Sequence, residues 1–179
     1  KDASRLKTKK FFLLDMDGTI YLDNDLFDGT LDFLKKVKDD GGKYLFVTNN
    51  SSKSASAYVE KLAEMGITAT TDEFLTSTEA TIIYLKASYA PETKMYVFGT
   101  KSFLAQLTEA GLNTVTELSD DISVLVMGFD TELTFGKLED ACILLNRGVD
   151  YIATNPDYVC PTWYGSVPDC GSIAQILKT

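Results

Sequence analysis

Short apolar runs alternate along the chain with stretches in which apolar residues recur three or four positions apart. Runs rich in β-branched and aromatic residues predict strands over residues 11–15, 43–48, 73–77, 95–99, 122–128 and 149–155. The periodic stretches predict helices over residues 30–38, 53–65, 102–110 and 137–146, and one from a Thr76–Glu79 capping box through Leu85. Strands that alternate with helices predict an α/β fold with largely parallel sheets.

The first apolar run, FFLLD at residues 11–15, ends in a carboxylate. Its composition predicts a short strand buried on both faces, and a buried carboxylate is costly unless it is paired, hydrogen-bonded or bound to a metal. Asp15 and Asp17 are two positions apart on an extended chain, so they could approach one ligand together, and Gly18 allows a tight turn beside it. A plain polar turn after a strand is the alternative.

The run KYLFVTNNSS has the same design, because it ends in Thr48 and Asn49 and leads into a helix. Free N–H groups and the helix dipole make such a strand end an anion site, to which the Thr48 hydroxyl and Asn49 amide can add hydrogen bonds. Ordinary helix capping at Ser51 or Ser52 is expected as well. Carboxylates beside an anion require a cation between them, and Mg²⁺ fits one or two carboxylates plus phosphate and water.

Composition restricts the classes of function. The chain has 179 residues, 45% of them hydrophobic, which is enough for one large domain or two small ones. A net charge of −9 argues against nucleic acid or an anionic membrane as the main partner and favours a small molecule or a protein. The absence of histidine excludes Ser/His and Cys/His nucleophile pairs, a histidine-ligated zinc and a histidine base.

Cysteine usage and apolar segment lengths indicate a compartment. Cys142, Cys160 and Cys170 form neither a CxxC pair nor an even set, so the sequence predicts reduced thiols in a cytoplasmic protein. The apolar run before Asp15 is too short for a signal peptide, and no segment approaches transmembrane length.

Taken together, the motifs resemble those of a known family. DMDGT at 15–19 is similar to the first motif of the haloacid dehalogenase superfamily of phosphatases and phosphotransferases, and TNNS at 48–51 is similar to its second. The stretches FLTSTEA, GFDTELTFGKLEDA, YIATNPD and PDCGSI resemble the NagD-like, or para-nitrophenyl phosphatase-like, branch. This resemblance implies a Rossmann-like parallel-sheet core with a second α/β domain, the cap, which selects the substrate.

The resemblance also implies roles for single residues. Asp15 would be the nucleophile that forms an aspartyl-phosphate, and Asp17 would be the general acid and base. Mg²⁺ would be bound by Asp15 through its carboxylate and by Asp17 through its main-chain carbonyl. Thr48 and Asn49 would bind the phosphoryl group. The implied activity is Mg²⁺-dependent hydrolysis of the phosphomonoester of a small metabolite.

The far end of the chain departs from the family pattern. The third-motif lysine, in its Gly-Lys-Pro context, and the fourth-motif acids follow the cap in the family and have no counterpart here; Lys178 only ends a helical run. We therefore expect residues 1–80 to be the front part of a catalytic core, residues 81–179 to be the cap, and the chain to be a fragment of a longer protein. A core of two or three strands would leave an edge open to a homo-oligomer.

The segment ATNPDYVCPTWYGSVPDC, residues 153–170, is the most informative loop of the expected cap. By the resemblance, Asn155 and Asp157 lie near the mouth of the site and contact substrate, although an Asx turn before the proline would explain each of them. Trp163 and Tyr164 could stack on a ring in the substrate or pack within the loop.

Other functions stay open. A phospho-acceptor signalling domain also has paired acids after its first strand, but it needs a third Asp where this chain has Thr48. A carboxylate-pair glycosidase is compatible with Asp15 and Asp17, whose Cα atoms would be about 6 to 7 Å apart on a strand. In such an enzyme, however, the anion site at Thr48 and Asn49 would have no function. A catalytically incomplete fragment could act as a binding or scaffold domain.

Overall fold

The computed structural model describes residues 4–178; the outermost residues of the predicted domains, 1–3 and 179, lie outside that range. The strands are β1 (Phe11–Asp15), β2 (Tyr21–Leu22), β3 (Asp25–Leu26), β4 (Lys43–Thr48), β5 (Phe74–Thr76), β6 (Lys94–Phe98), β7 (Asn113–Val115), β8 (Ile122–Met127), β9 (Asp150–Ala153), β10 (Val159–Thr162) and β11 (Gly165–Pro168). The α-helices are α1 (Thr30–Asp39), α2 (Ala55–Glu64), α3 (Ser77–Ser88), α4 (Lys101–Glu109), α5 (Phe135–Asn146) and α6 (Cys170–Ile176). Short 3₁₀ helices cover Ser4–Thr8 and Thr71–Glu73.

Two larger sheets organise the chain. One has three strands in the order β1-β4-β5, and its β1–β4 pairing is parallel. The other has four strands in the order β7-β6-β8-β9, with parallel pairing throughout. The helices α4 and α5 connect consecutive parallel strands of this second sheet. The predicted α/β fold with parallel sheets is therefore confirmed.

The chain divides into two compact units, which interleave in sequence. The first comprises Lys1–Thr48, Ala55–Leu75 and Pro161–Tyr164, and the second comprises Asn49–Ser54, Thr76–Cys160 and Gly165–Thr179. The first unit contains β1 and β4, and the second contains the whole four-stranded sheet. The assignment of residues 1–80 to a catalytic core and of 81–179 to a cap stays a prediction.

Strand β1 is buried on one face only. Phe12 and Leu14 pack against the core of the first unit, whereas Phe11 and Leu13 are 58% and 64% exposed. The prediction of a strand buried on both faces is therefore wrong for β1. The physical reason is that no element of residues 4–178 packs over the outward face of β1 to cover these side chains.

The central strands of the four-stranded sheet are buried on both faces, as parallel strands between layers of helices are. Apolar side chains of β6 and β8 are almost completely inaccessible and contribute alternately to two core clusters. One cluster includes Tyr96, Leu125 and Met127, and the other includes Met95 and Val126. The second unit thus has a hydrophobic layer on each side of its sheet.

Capping residues were predicted for the starts of two helices, α3 and α2. Thr76 and Glu79 form the predicted capping box at the start of α3, since the Thr76 hydroxyl accepts from the Glu79 N–H and the Glu79 carboxylate accepts from the Thr76 N–H. Helix α2 begins at Ala55, two residues later than predicted. Neither Ser51 nor Ser52 is therefore adjacent to its first turn, so the expectation that one of them caps it is wrong.

Several short elements were not predicted. The antiparallel β2–β3 pair follows β1 directly, and β10 and β11 form a two-stranded sheet inside the segment that the sequence presents as a loop. Trp163 and Tyr164 connect β10 to β11, are 79% and 63% exposed, and contact each other edge to face at 5.3 Å between ring centroids. Across residues 4–178, no helix combines the length and the apolar character needed to cross a membrane.

Candidate active site

The parallel pairing of β1 and β4 determines where the candidate catalytic residues of the first unit lie. Asp15, the last residue of β1, is opposite Val47, and Thr48 ends β4 one residue later. The carboxyl ends of both strands therefore meet at one edge of the sheet, which is where open α/β sheets bind their ligands. Thr48 is 4% exposed, so its side chain belongs to the buried end of the strand.

The DMDGT segment forms a tight turn after β1. Gly18 has a φ of 81°, a conformation that favours glycine, and its N–H donates to the Tyr21 carbonyl at 2.8 Å. The Thr19 hydroxyl donates to the Asp15 Oδ2 at 2.9 Å. Asp15 is exposed and Asp17 is half-buried. The expected cost of burying a carboxylate is therefore not incurred by Asp15, which is accessible to a ligand.

Two side chains were not indicated by the sequence: Tyr21, a neighbour of Asp17, and Lys61, which lies over the Tyr21 ring. Tyr21 is fully buried, and burial, together with the nearby Asp17 carboxylate, raises the pKa of its phenol well above the ordinary value. The Lys61 ammonium lies 3.8 Å from the centroid of the Tyr21 ring. In the sequence Tyr21 is indistinguishable from a core aromatic residue, and Lys61 from a solvated helix charge.

In the second unit, Asn49 has its main chain and its side chain both held by hydrogen bonds. Its carbonyl accepts from the Asn155 Nδ2 at 2.8 Å and from the Ser77 Oγ at 2.7 Å. Its own Nδ2 donates to the Asp157 Oδ2 at 2.7 Å. Three residues singled out by the motifs, Asn49, Asn155 and Asp157, are thus brought together, and Ser77 is a partner that the sequence did not indicate.

Asn155 forms the Asx turn that was the alternative explanation for it. Its Oδ1 accepts from the Asp157 N–H at 2.9 Å, while its Nδ2 reaches Asn49, and the side chain is 6% exposed. The turn and the long-range contact are therefore made by opposite ends of one amide. A substrate contact by Asn155 or Asp157 stays a prediction.

Within the second unit, Ser51 connects residues 49–51 to the segments that follow β8 and β9. It is fully buried, and its Oγ accepts from the Phe129 N–H at 2.7 Å and lies 2.9 Å from the Thr154 Oγ1. Asp130, the next residue after Phe129, is paired with the Lys137 ammonium at 2.7 Å. The two contacts of the buried Ser51 hydroxyl hold the backbone two residues after Asn49.

The residue types near the end of β1 fit a hard divalent cation. Asp15 and Asp17 supply oxygen donors, and residues 4–178 contain no group of three or more His, Cys, Asp or Glu side chains arranged to hold a metal. Mg²⁺ commonly uses one or two carboxylates and completes its shell with water and substrate phosphate, whereas zinc sites usually have three or four protein ligands, most often cysteine or histidine. A pair of aspartates therefore fits Mg²⁺ better than a metal that needs an all-protein site.

An α/β chain with an aspartate at the carboxyl end of its first strand, and a threonine at the end of the neighbouring parallel strand, belongs to the class of open-sheet proteins that bind ligands at that edge. Within that class, residues 12–113 match the family described as haloacid dehalogenase-like hydrolases. The chain belongs to this family.

Individual relatives agree with the family. The chain is 36% identical over 173 residues to an acid sugar phosphatase of Staphylococcus aureus, an alignment that covers 97% of this chain and 66% of the relative. A 4-nitrophenylphosphatase from Thermotoga maritima is similar in structure, with a TM-score of 0.86, 38% identity and coverage of 94% of this chain and 63% of that one. The chain thus spans about two thirds of the length of these relatives.

A third relative was solved with a metal ion. The glycerol phosphate phosphatase of Mycobacterium tuberculosis, in complex with magnesium, matches with a TM-score of 0.87 and 29% identity over 94% of this chain and 50% of that one.

Proposed function

We propose that the protein hydrolyses phosphomonoesters of a small metabolite in a Mg²⁺-dependent reaction that passes through an aspartyl-phosphate. The observation that carries this proposal is the parallel register of β1 and β4, in which Asp15 and the Thr48 strand end share one edge of the sheet. The names of the relatives, acid sugar phosphatase and glycerol phosphate phosphatase, support a phosphorylated sugar or small polyol as the substrate.

In the proposed first step, a carboxylate oxygen of Asp15 attacks phosphorus while the bond from phosphorus to the ester oxygen breaks. Asp17 gives its proton to that oxygen, so the alcohol leaves neutral. The exposure of Asp15 supports an attack on a substrate from solvent, and the Thr19 hydroxyl orients its carboxylate. Thr48 and Asn49, adjacent in the chain, donate hydrogen bonds to the phosphoryl oxygens.

In the proposed second step, Asp17 accepts a proton from water, whose oxygen attacks phosphorus and releases Asp15 and inorganic phosphate. The residues that would hold Mg²⁺ are Asp15, through its carboxylate, and Asp17, through its main-chain carbonyl. When bound, the cation neutralises charge between the carboxylate and the phosphoryl group, which would otherwise repel each other. We assign residues 1–80 to the catalytic core and residues 81–179 to the cap that selects the substrate.

The test is phosphate release by the full-length protein from para-nitrophenyl phosphate and from a panel of sugar, polyol and nucleotide monophosphates, with Mg²⁺ and with EDTA. We expect turnover that requires Mg²⁺ and that is fastest with sugar or polyol phosphates. The matched inactive control is Asp15→Asn. Turnover that survives both EDTA and this substitution would rule out the proposed chemistry, and a protein without turnover on any ester would instead support a binding or scaffold role.

A further inference from the structure

The side chain of Asn49 is oriented by a carboxylate 108 positions later in the chain. Its Nδ2 donates to the Asp157 Oδ2 at 2.7 Å, a length typical of a hydrogen bond to a charged acceptor. A carboxylate only accepts hydrogen bonds, so the opposite orientation of the amide would place the Asn49 Oδ1 against the Asp157 oxygen and repel it. Asp157 therefore selects one of the two amide orientations of Asn49.

The orientation of the Asn49 amide determines whether the side chain can donate a hydrogen bond to an anion. An amide nitrogen carries two hydrogens, so when one of them is given to Asp157 the other stays available on the same nitrogen. A phosphoryl oxygen needs a donor, and the reversed amide would offer it a carbonyl oxygen instead. Fixing the orientation in advance also removes the reorganisation that a free amide would need in the transition state.

The backbone of Asn49 is fixed by the same segment. Asn155 donates from Nδ2 to the Asn49 carbonyl at 2.8 Å and accepts at Oδ1 from the Asp157 N–H at 2.9 Å. One buried side chain therefore connects the main chain of Asn49 to the main chain of Asp157. Because the amide bridges both, a shift of either segment would be transmitted to the other.

Asp157 is in turn held from helix α6. The Gly171 N–H donates to the Asp157 carbonyl at 2.8 Å. A Cβ on Gly171 would lie only 2.2 Å from the Pro156 carbonyl oxygen, so glycine is required for this approach. Asp169, 5% exposed, contacts the Asn155 Nδ2 at 3.5 Å and accepts from the Cys170 N–H. The main chain that carries the Asp157 carboxylate is thus held in place by a hydrogen bond and close packing from α6.

We infer that Asp157 and Asn155 are positioning residues for Asn49 and do not contact the leaving group of the substrate. This inference rests on the proposed function, because it makes Asn49 a donor to the phosphoryl group. It reassigns both residues from substrate selection to orientation of that donor. The phosphoryl group is common to every phosphomonoester, so loss of Asp157 should affect all substrates by the same factor.

The experiment compares Asp157→Ala, Asn49→Ala and the double variant in the full-length protein, with Glu109→Ala as a control that removes a carboxylate exposed at the end of α4. We expect Asp157→Ala to lower kcat/KM about 10-fold, the scale of one hydrogen bond to a charged group, for para-nitrophenyl, sugar and polyol phosphates alike. Orthovanadate inhibition should weaken by a similar factor. In the Asn49→Ala background the second substitution should add almost nothing, because the two residues act through one bond.

A second readout does not depend on turnover. In ¹⁵N-labelled protein, the side-chain amide resonances of Asn49 should shift in Asp157→Ala and remain in place in the Glu109→Ala control. Asp157→Asn, which keeps the size and one acceptor oxygen, should shift them less. This measurement stays informative if the wild-type protein lacks phosphatase activity, an outcome that would count against the proposed function alone.

Three results would overturn the inference. One is a loss in Asp157→Ala that varies strongly between esters, because that pattern belongs to a residue that contacts the leaving group. Another is full additivity with Asn49→Ala in kcat/KM. The third is an unchanged Asn49 side-chain amide signal in a folded Asp157→Ala variant.

Discussion

The hydroxyl of Thr19 donates a hydrogen bond to the Oδ2 of Asp15 at 2.9 Å, so the turn after β1 orients the carboxylate at the end of β1. The two residues are four positions apart, and the tight turn between them brings the donor back to the strand end. A carboxylate held in one rotamer loses less freedom when it attacks phosphorus than one that rotates in solvent. The DMDGT motif thus contains both the proposed nucleophile and the donor that orients it.

We predict that Asp15→Asn abolishes turnover in the full-length protein while the fold is retained, because the amide keeps the size of the side chain but has neither charge nor nucleophilicity. Thr19→Val, which keeps the shape and removes only the hydroxyl, should lower kcat about 10-fold or less. Phosphate release and circular dichroism of both variants are the measurements. Activity above a few per cent in a folded Asp15→Asn variant would contradict the role of nucleophile.

Asp17→Asn should slow hydrolysis by about 10²- to 10⁴-fold, the usual contribution of a positioned acid and base. The loss in the first step should be smaller for para-nitrophenyl phosphate than for an alkyl phosphate, since nitrophenolate leaves without a proton. Rapid-quench measurement of alcohol release separates that step from hydrolysis of the aspartyl-phosphate. Equal losses for both leaving groups would show that Asp17 is not the acid.

Gly171→Ala should destabilise the protein by about 1–3 kcal/mol, the cost of forcing an extra carbon into a packed site. The new Cβ would meet the Pro156 carbonyl oxygen at 2.2 Å, and a main-chain atom cannot rotate away as a side chain can. Gly136→Ala is the matched control: it is also in a helix, and its nearest atom would be the Thr134 Oγ1 at 3.9 Å. We expect that control to be stabilising by up to about 1 kcal/mol. Urea denaturation of both variants tests the difference, and equal effects would contradict the close approach.

Cys170 should resist alkylation in the native protein. It is fully buried, and burial raises the pKa of its thiol, so the reactive thiolate is both scarce and inaccessible. Cys142 and Cys160 are partly exposed and should react first with iodoacetamide at pH 8, with Cys170 following only in urea. Peptide mass spectrometry gives the order directly. Labelling of native Cys170 at the same rate as the other two would show that the interior around it opens readily.

Local signals in the sequence were sufficient for the longer strands and helices and for the family. Each predicted strand lies within two residues of its predicted bounds. The same is true of each helix for which both a first and a last residue were predicted. The Thr76–Glu79 capping box was predictable because both partners lie within one helical turn. The strands β6 and β8 were predictable because a central parallel strand is apolar along its whole length.

What the sequence did not predict depends on partners distant along the chain. The bond between Asn49 and Asp157 joins residues 108 positions apart, and no local pattern marks it. The position of Lys61 over the Tyr21 ring depends on how α2 packs, which periodicity alone does not determine. The exposed face of β1 was missed for the opposite reason, because an apolar strand looks the same in sequence whether or not another element covers it.

The two outward side chains of β1 have a consequence for handling this 179-residue chain. Phe11 and Leu13 form an exposed apolar surface on an edge strand, and such a surface favours association between copies at high concentration. Lys9 and Lys10 precede this surface, and charges in that position oppose such contacts, as does the net charge of −9. At physiological ionic strength, salt screens the repulsion from these lysines and from the net charge at distances beyond about 8 Å. Colloidal stability should therefore fall as salt is added, so concentrated stocks keep best in dilute buffer.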